Sequence, residues 1–481
     1  MMNKKYLIYL IFFGMNTLLF SCKDKWDVHN DVENVDNTVD LAQKLATQSN
    51  LSVFNGYVKS TGYDKLLASS QNYTVWAPTN TALATLDPTI VNDAAKLKDF
   101  VANHIALSTI PVSKKENDTL RIKLLNNKFA TIIGFKFEES NITGTSQFVK
   151  NGVLHALDAA IPTKLNIWDY MLTSTDAPMQ TDFTRNLSIT VIDTANATII
   201  GYNSLGNPIF APNPPTVARN TYWVNVADLR DESQQFTYFM LQDAAFNSET
   251  AKIATYFPSP IANSSASFNV VRDLTVKGLY PVDKLPDTLI SVKGVKVPIN
   301  RSTIVKTYRA SNGIVHVVNA LPFRLKDKVP EFKIEGERPV AVSATKTILY
   351  RTKLDDLGKS YSDIEVYNHA YSEYGVFYTR SNVPVVKYKV YARAISGASG
   401  DSQVANFTQR YFFYNNTTLA YTLFYTHLVT PLNYAEQYCG EYTPDQFGFI
   451  QFRLTSAATT AINQNTLILD YLRFEPVLPQ P

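Results

Sequence analysis

The stretch NGVLHALD at residues 151–158 recurs as NGIVHVVN at residues 312–319, 161 residues further along the chain. In each copy apolar residues alternate around a histidine, and alternation of this kind predicts a β-strand with a buried face. The Asn-Gly pair ahead of the alternating residues favours a turn, so each strand is predicted to begin there. Whether the chain is duplicated depends on whether a second motif recurs at the same spacing.

A second motif does precede each copy. YTVWAPTNTAL at residues 73–83 predicts a strand that Pro78 ends and a helix that Thr79 caps. TYFMLQDAAF at residues 237–246 aligns with its last ten residues without a gap. The two motifs lie 77 residues apart in the first copy and 75 in the second. Two motifs that keep their spacing twice indicate a tandem duplication with a period of about 160 residues.

The motif pair resembles the fasciclin (FAS1) family, whose signatures are a strand entering Ala-Pro-Thr-Asn and a later Asn-Gly-Val segment with a histidine. The resemblance covers about residues 37–325. It implies an α+β fold with two tandem FAS1 domains, at residues 37–163 and 164–325. In animal members a Tyr-His pair is linked to integrin contact. Leu154 and Val315 stand at that Tyr position here, so the inference does not carry over.

Three histidines of the repeats are candidate functional residues: His104, His155 and His316. They could be ligands or catalysts, or they could be core histidines that hold neighbouring backbone. No Cys, Asp or Glu stands near them at the spacing of metal ligands. We therefore favour the core interpretation and expect no metal site.

The second repeat contains about 36 extra residues between Thr173 and Arg230. Within them, Ser188 to Gly201 has apolar residues at alternating positions, which predicts a hairpin. Ordered insertions on a rigid scaffold often carry binding function. A surface loop without function is the alternative, and the sequence does not decide between them.

The N-terminus resembles a bacterial lipoprotein signal. Lys4 and Lys5 precede an apolar run that ends in Leu-Phe-Ser-Cys at residues 19–22. We expect residues 1–21 to be the signal peptide, Cys22 to be acylated, and residues 22–36 to form the anchor and tether. The following KDKWD resembles the export signal of surface lipoproteins of Bacteroidota, which implies an outer-membrane lipoprotein facing the exterior. A signal cut elsewhere, with Cys22 incidental, is the alternative.

Beyond a predicted linker at residues 326–338, the composition changes. Residues 339–481 contain 16 of the 28 tyrosines, and short strand-like runs alternate with turn signals. This pattern predicts an all-β sandwich. The sandwich resembles galactose-binding-like jelly rolls, which implies a domain like a carbohydrate-binding module. Tyr434, Tyr438 and Tyr442 are candidates for a sugar platform, with packing on the sandwich surface as the alternative.

The composition excludes several classes of protein. A net charge of +3 over 481 residues offers no electrostatic hold on a phosphate backbone, so we expect no nucleic-acid partner. Two cysteines rule out a disulfide framework, and we expect Cys439 to be buried as a small hydrophobe. The sequence contains none of the common catalytic or nucleotide-binding motifs. We therefore expect no catalytic residues and no cofactor.

These features favour a non-catalytic surface lipoprotein that binds or presents glycan or peptide. Because such lipoproteins of Bacteroidota accompany SusC/SusD-type importers, the resemblance implies an accessory subunit of one. Cell adhesion through the FAS1 domains is the first alternative. The second is a glycan-degrading enzyme, which would need two carboxylates facing each other across a cleft.

Overall fold

The computed structural model describes residues 36–112, 119–259, 264–343 and 348–479. The predicted signal peptide and Cys22 lie outside these residues. The chain divides into two compact units. The first runs to Asn166 and includes Arg230–Gln234 and Ala310–Asn312; the rest of the chain forms the second. Within the described residues, no helix is long and apolar enough to span a bilayer.

The first unit combines a helix cluster with a seven-stranded sheet of order β2-β1-β7-β6-β5-β4-β3. Its helices are α1 (Leu41–Thr47), α2 (Ser52–Ser60), α3 (Tyr63–Leu67), α4 (Asn80–Leu83), α5 (Pro88–Val91) and α6 (Ala94–Ala102). Its strands are β1 (Tyr73–Pro78), β2 (Ile105–Ala106), β3 (Thr119–Lys123), β4 (Phe129–Ile133), β5 (Lys136–Phe137), β6 (Ser140–Val149) and β7 (Gly152–Leu157).

The two sequence motifs of the first repeat form neighbouring strands. β1 and β7 pair in parallel with Tyr73 opposite Gly152, and all six residues of β1 are buried. The Thr79 side chain accepts a hydrogen bond from the Ala82 backbone N–H, which caps α4 as predicted. Trp76 is fully buried and stacks on Phe137 at 4.7 Å. The two strands that the motifs form, β1 and β7, therefore lie at the centre of the core of the first unit.

The second unit repeats this arrangement in the sheet β13-β12-β17-β16. Its helices are α7 (Ile167–Thr173), α8 (Pro178–Arg185), α9 (Thr221–Asn225), α10 (Asp243–Ile253), α11 (Ser264–Val271) and α12 (Leu325–Lys328). The strands of this half are β8 (Ser188–Ile192), β9 (Ile199–Tyr202), β10 (Pro208–Phe210), β11 (Thr216–Asn220), β12 (Phe236–Leu241), β13 (Thr275–Lys277), β14 (Thr288–Ile290), β15 (Lys296–Pro298), β16 (Ile304–Ala310) and β17 (Gly313–Val318). β12 and β17 pair in parallel with Phe236 opposite Gly313, the same register as in the first repeat.

The insertion forms one long two-stranded ribbon, which we call the arm (Ser188–Asn220). β8 pairs with β11, while β9 pairs with β10 further out and a turn closes the ribbon. The predicted hairpin over Ser188–Gly201 is therefore wrong. Alternation identified the strands, but the partner of β8 lies more than twenty residues away, and alternation says nothing about pairing.

The C-terminal part is an antiparallel β-sandwich, as predicted. Its strands are β18 (Phe332–Glu335), β19 (Ala341–Val342), β20 (Leu349–Leu354), β21 (Ser360–Val366), β22 (Gly375–Val383), β23 (Tyr388–Arg393), β24 (Phe407–Asn415), β25 (Ala420–Val429), β26 (Gln437–Tyr442), β27 (Gly448–Ser456), β28 (Leu467–Leu469) and β29 (Tyr471–Pro476). They form sheets of order β18-β29-β23-β26, β19-β22-β27-β24-β25 and β20-β21-β28. Cys439 is buried within β26, and burial raises the pKa of its thiol to about 12.

The segment 326–338, which the sequence suggested as a linker, is built into the second unit. It contains most of α12 and all of β18, which pairs with β29. Lys328 is 3% exposed and forms an ion pair with the fully buried Asp273 at 2.6 Å. The charges that suggested a solvated linker are therefore partly internal ion pairs.

Candidate functional site

In the first repeat, a threonine and a histidine hold one backbone segment to the central strands. Thr74 Oγ1 donates to the Ser108 carbonyl at 2.6 Å and accepts from the Ile110 N–H at 2.8 Å. His155 Nε2 lies 2.9 Å from the Ile110 carbonyl and donates to it. The repeated motif marks His155 as a candidate residue, whereas nothing in the sequence assigns a role to Thr74.

The second repeat contains the same arrangement of a threonine and a histidine bonded to one backbone segment, which we call the clamp. Thr237 Oγ1 donates to the Gly278 carbonyl at 2.9 Å and accepts from the Tyr280 N–H at 3.0 Å. His316 Nε2 lies 2.9 Å from the Tyr280 carbonyl. The clamped segments share no sequence, so only the threonine and histidine could have been found by alignment. Both histidines serve the fold, as the core interpretation predicted.

Burial makes these histidines poor bases. It lowers the pKa of His104, His155 and His427 to about 4, and it also lowers the pKa of His316. The two ring nitrogens of His104 have opposite roles: Nδ1 donates to the Phe100 carbonyl and Nε2 accepts from the Ile161 N–H. A second proton on His104 would break that arrangement, so its neutral form is the folded form.

We expect acid to destabilise the protein between about pH 6.5 and pH 4. In that range an unfolded histidine is protonated and these folded ones are not. The unfolded state therefore binds more protons, and stability falls as the pH falls. Each such site accounts for about 3 kcal/mol once the pH reaches 4. The check is the melting temperature of the chain and of His155→Gln, which keeps a donor near the Ile110 carbonyl, measured from pH 7 to pH 4.5.

The test is the comparison of His155→Gln with the unsubstituted chain, because protonation of Asp470 changes the stability of both in the direction opposite to that of the histidines. Burial raises the pKa of Asp470 to about 6, so its protonation stabilises the folded state in the same range. The His155→Gln chain should melt lower at pH 7 but lose less on acidification than the unsubstituted chain. Equal losses in both chains would contradict the assignment of the acid effect to His155.

The Asn-Gly pair of the first repeat has a structural role of its own. The Asn151 side chain, 2% exposed, accepts from the Leu41 N–H at 2.9 Å and donates to the carbonyls of Leu67 and Ser69, both at 2.7 Å. Asn151 thus ties the helix cluster to the sheet. Gly152 follows with a φ of +148°, a conformation that side-chain-bearing residues rarely adopt.

The structure does not bring the three candidate tyrosines together. Tyr438 and Tyr442 both lie on β26, but a bulge at Cys439–Gly440 shifts the register between them. Tyr438 is exposed beside Tyr391, whereas Tyr442 stacks on Phe413 at 4.0 Å. Tyr434 lies in the preceding turn, where its carbonyl accepts from Arg393 Nε. Without the bulge, a spacing of four would have put Tyr438 and Tyr442 on one face.

Tyr442 lines a small cavity of about 190 Å³ at the edge of the sandwich, together with Phe413 and Phe424. Asp445 also lines it, and its carboxylate accepts from the Asn416 side chain and from the N–H groups of Asn416 and Thr417. The Asp445 oxygens therefore already accept hydrogen bonds from a neighbouring loop.

A buried ion cluster lies in the sandwich around Arg351. The guanidinium binds both oxygens of Asp363, at 2.8 and 2.6 Å, and contacts Glu365 at 3.0 Å and Asp401 at 3.1 Å. The Asp363 and Asp401 side chains are fully buried. Lys353 is a second cation on Asp401. Among the described residues, no group of three or more His, Cys, Asp or Glu is arranged to hold a metal ion. The cluster is held by cations of the chain itself.

The second unit contains an open cleft of about 980 Å³. One side is formed by helices α8, α9, α11 and α12 with the β14–β15 hairpin, and the other by the end of β22 and the loop before β27. The sides are connected by a hydrogen bond from the Val385 N–H to the Tyr256 carbonyl and by an edge-to-face contact of Phe257 with Phe447 at 5.3 Å. The phenylalanines on its walls are Phe183, Phe257, Phe268, Phe332 and Phe447.

Charged side chains line the cleft unequally: four are basic (Arg272, Lys293, Lys328 and Arg380) and two are acidic (Asp327 and Glu331). This site was not predictable from the sequence, because its residues come from eight separate segments and only the basic residues near the expected linker gave any signal. Such a cleft with aromatic walls and a few charged groups has the form of a ligand site.

The fold and these sites define an α+β protein with two clamped repeats and a C-terminal β-sandwich. Residues 49–162 match the family model of the Fasciclin domain, so the first repeat contains a FAS1 domain, as predicted. No curated protein matches the chain.

The solved structures to which the chain is similar are remote from it. A FAS1 domain pair from the insect cell adhesion molecule fasciclin I is 15% identical, with 58% of this chain and 99% of that chain covered and a TM-score of 0.23. The CBM36-1 domain of a multidomain xylanase from the hindgut metagenome of Trinervitermes trinervoides is 12% identical, covering 31% of this chain and 100% of that one, with a TM-score of 0.21. Scores this low carry no argument about function.

Proposed function

We propose that the chain is a non-catalytic surface lipoprotein that binds glycan or peptide as an accessory subunit of a SusC/SusD-like outer-membrane importer. The lipoprotein-like N-terminus supports attachment to the outer membrane through acyl chains on Cys22. A FAS1 domain and a β-sandwich are scaffolds on which binding sites are placed, and the open cleft is such a site. The observation that carries the association with an importer is the arm.

The arm exposes apolar side chains to an unusual extent. Ile200, Tyr202 and Leu205 at its outer end are 62%, 67% and 84% exposed, and five further residues along it are large, apolar and exposed: Ile189, Ile192, Ile199, Ile209 and Val217. An isolated two-stranded ribbon is only marginally stable in water. Exposed apolar side chains concentrated on one ribbon favour an interaction site there.

The charge of the arm helps to distinguish a lipid surface from a protein surface as its partner. Its 33 residues contain one acid, Asp193, and one base, Arg219. With no excess of positive charge, the arm has no electrostatic attraction to anionic lipid headgroups. Its ribbon edges also lack the lysines that usually block strand addition. A protein surface fits these properties, and we assign the arm to the β-barrel subunit of the importer.

We expect tagged protein, pulled down in mild detergent from native outer membranes, to bring with it a large β-barrel and a SusD-like lipoprotein. Replacing Ile200, Tyr202 and Leu205 by serine should reduce recovery of the barrel at least tenfold, because the substitutions remove apolar area at the contact. Mass spectrometry of the eluate is the measurement.

Leu357 provides the matched control, since it is 87% exposed at a different hairpin tip. Leu357→Ser should leave recovery of the barrel unchanged. Recovery of the tagged protein alone from cells that display it would contradict the importer proposal and favour adhesion. Equal loss with the arm variant and with Leu357→Ser would contradict the role of the arm.

A further inference from the structure

We infer that the cleft of the second unit binds an oligosaccharide that carries carboxylate groups. This inference rests on the proposed binding function and names the ligand class for it. It is carried by the distribution of charge in the cleft, by the side chains between the charges and by the size of the space.

The basic residues of the cleft are only partly neutralised. Lys293 and Arg380 are exposed, and neither forms an ion pair with any residue that the structure describes. Arg272 and Lys328 share a single carboxylate, that of Asp273, at 3.1 and 2.6 Å. One positive charge therefore remains on that pair.

The two acids of the cleft offset only part of this excess. Asp327 is paired with Arg324, a cation outside the cleft, at 2.6 Å. Glu331 contacts Arg473 at 3.4 Å, but Arg473 also pairs with Glu436 and Glu475, so Glu331 still offsets one positive charge of the cleft. A cleft with excess charge of one sign attracts ligands of the opposite sign. An anionic ligand would lie between Lys293 on the helical side and Arg380 on the sandwich side.

The uncharged groups favour a sugar over a simple anion. Asn225 and Asn382 are exposed at the cleft, and a side-chain amide both donates to and accepts from hydroxyl groups. Half-buried phenylalanine rings present apolar faces beside them. A volume of about 980 Å³ lies near the upper end of the range for ligand sites, roughly 300–1,000 Å³, which is far more than one inorganic anion fills.

The experiment is titration of the full chain with oligogalacturonate, with its methyl ester as the neutral counterpart and oligoglutamate as the acidic peptide. We expect oligogalacturonate to bind, and binding to weaken as salt is raised. The double variant Lys293→Gln/Arg380→Gln should bind at least tenfold more weakly. Lys296→Gln removes the same charge three residues from Lys293 and outside the cleft, so it should bind within twofold of the unsubstituted chain.

Unchanged affinity in the double variant, equal binding of the methyl ester, or no binding of oligogalacturonate would overturn the inference. So would tighter binding of oligoglutamate, which would assign the cleft to an acidic peptide. The double variant should still recover the β-barrel from membranes, because the arm is intact. Glycan binding without barrel recovery would therefore contradict the importer proposal alone, and barrel recovery without glycan binding would contradict this inference alone.

Discussion

Replacing Gly152 by alanine is expected to lower the free energy of unfolding of the first unit by about 3 kcal/mol or more. A Cβ at this position would lie 1.9 Å from the Tyr73 carbonyl oxygen and 2.9 Å from Leu41 Cδ1. The backbone φ of +148° adds a conformational cost for any residue with a side chain. Because Tyr73 is the parallel partner of Gly152, relief of the clash would separate the two central strands. Hydrogen exchange of the β1 and β7 backbone amides across a urea series is the measurement.

Gly144 is the matched control in the same domain. Its φ of +70° is also positive, but a Cβ there would meet no atom within 4 Å. Gly144→Ala should therefore cost only about 1 kcal/mol, from backbone conformation alone. If the two substitutions cost the same, the close approach of β1 and β7 is not what requires glycine in the motif.

Replacing Arg351 by methionine is expected to destabilise the sandwich by about 3–5 kcal/mol, the usual result of removing one partner from a buried ion pair. The substitution keeps the apolar stem and leaves Asp363, Glu365 and Asp401 with Lys353 as the remaining cation. Burial already raises the pKa of Asp363 in spite of the Arg351 partner. Differential scanning calorimetry of the full chain measures the loss.

The pH dependence of Arg351→Met and a surface ion pair provide two further checks on the buried cluster. Since the unpaired carboxylates would take up protons more readily, the deficit of Arg351→Met relative to the unsubstituted chain should shrink as the pH is lowered from 7 to 5. Lys387→Met breaks a half-exposed pair with Glu441 and should cost less than about 1 kcal/mol. A deficit of Arg351→Met no larger than that of Lys387→Met would contradict the role of the buried cluster.

The repeats were predictable because their signals are local and occur twice. The spacing of the two motifs established the duplication, and each motif supplies one of the two central parallel strands of its repeat. Strands such as β24 and β27 were visible as apolar or aromatic runs between turns. By contrast, β20 and β26 carry charged or exposed residues on both faces, and their alternation is correspondingly weak.

The candidate site was much less predictable, because it depends on long-range geometry. The bulge in β26 separates Tyr438 from Tyr442, and bulges leave little trace in a single sequence. The pairing of β8 with β11 turns a predicted hairpin into an arm. In the cleft, Lys293 and Arg380 are 87 positions apart, and their meeting depends on how a repeat packs against a sandwich within one unit.

Photo-crosslinking from the tip of the arm tests whether the arm docks on an importer subunit. A crosslinking amino acid is placed at Leu205, with Leu357 as the control position, and cells are irradiated without disruption. We expect a crosslink from position 205 to a large outer-membrane β-barrel and none from position 357. Crosslinks from position 205 only to a second copy of the chain, or only to proteins of another cell, would contradict docking of the arm on an importer.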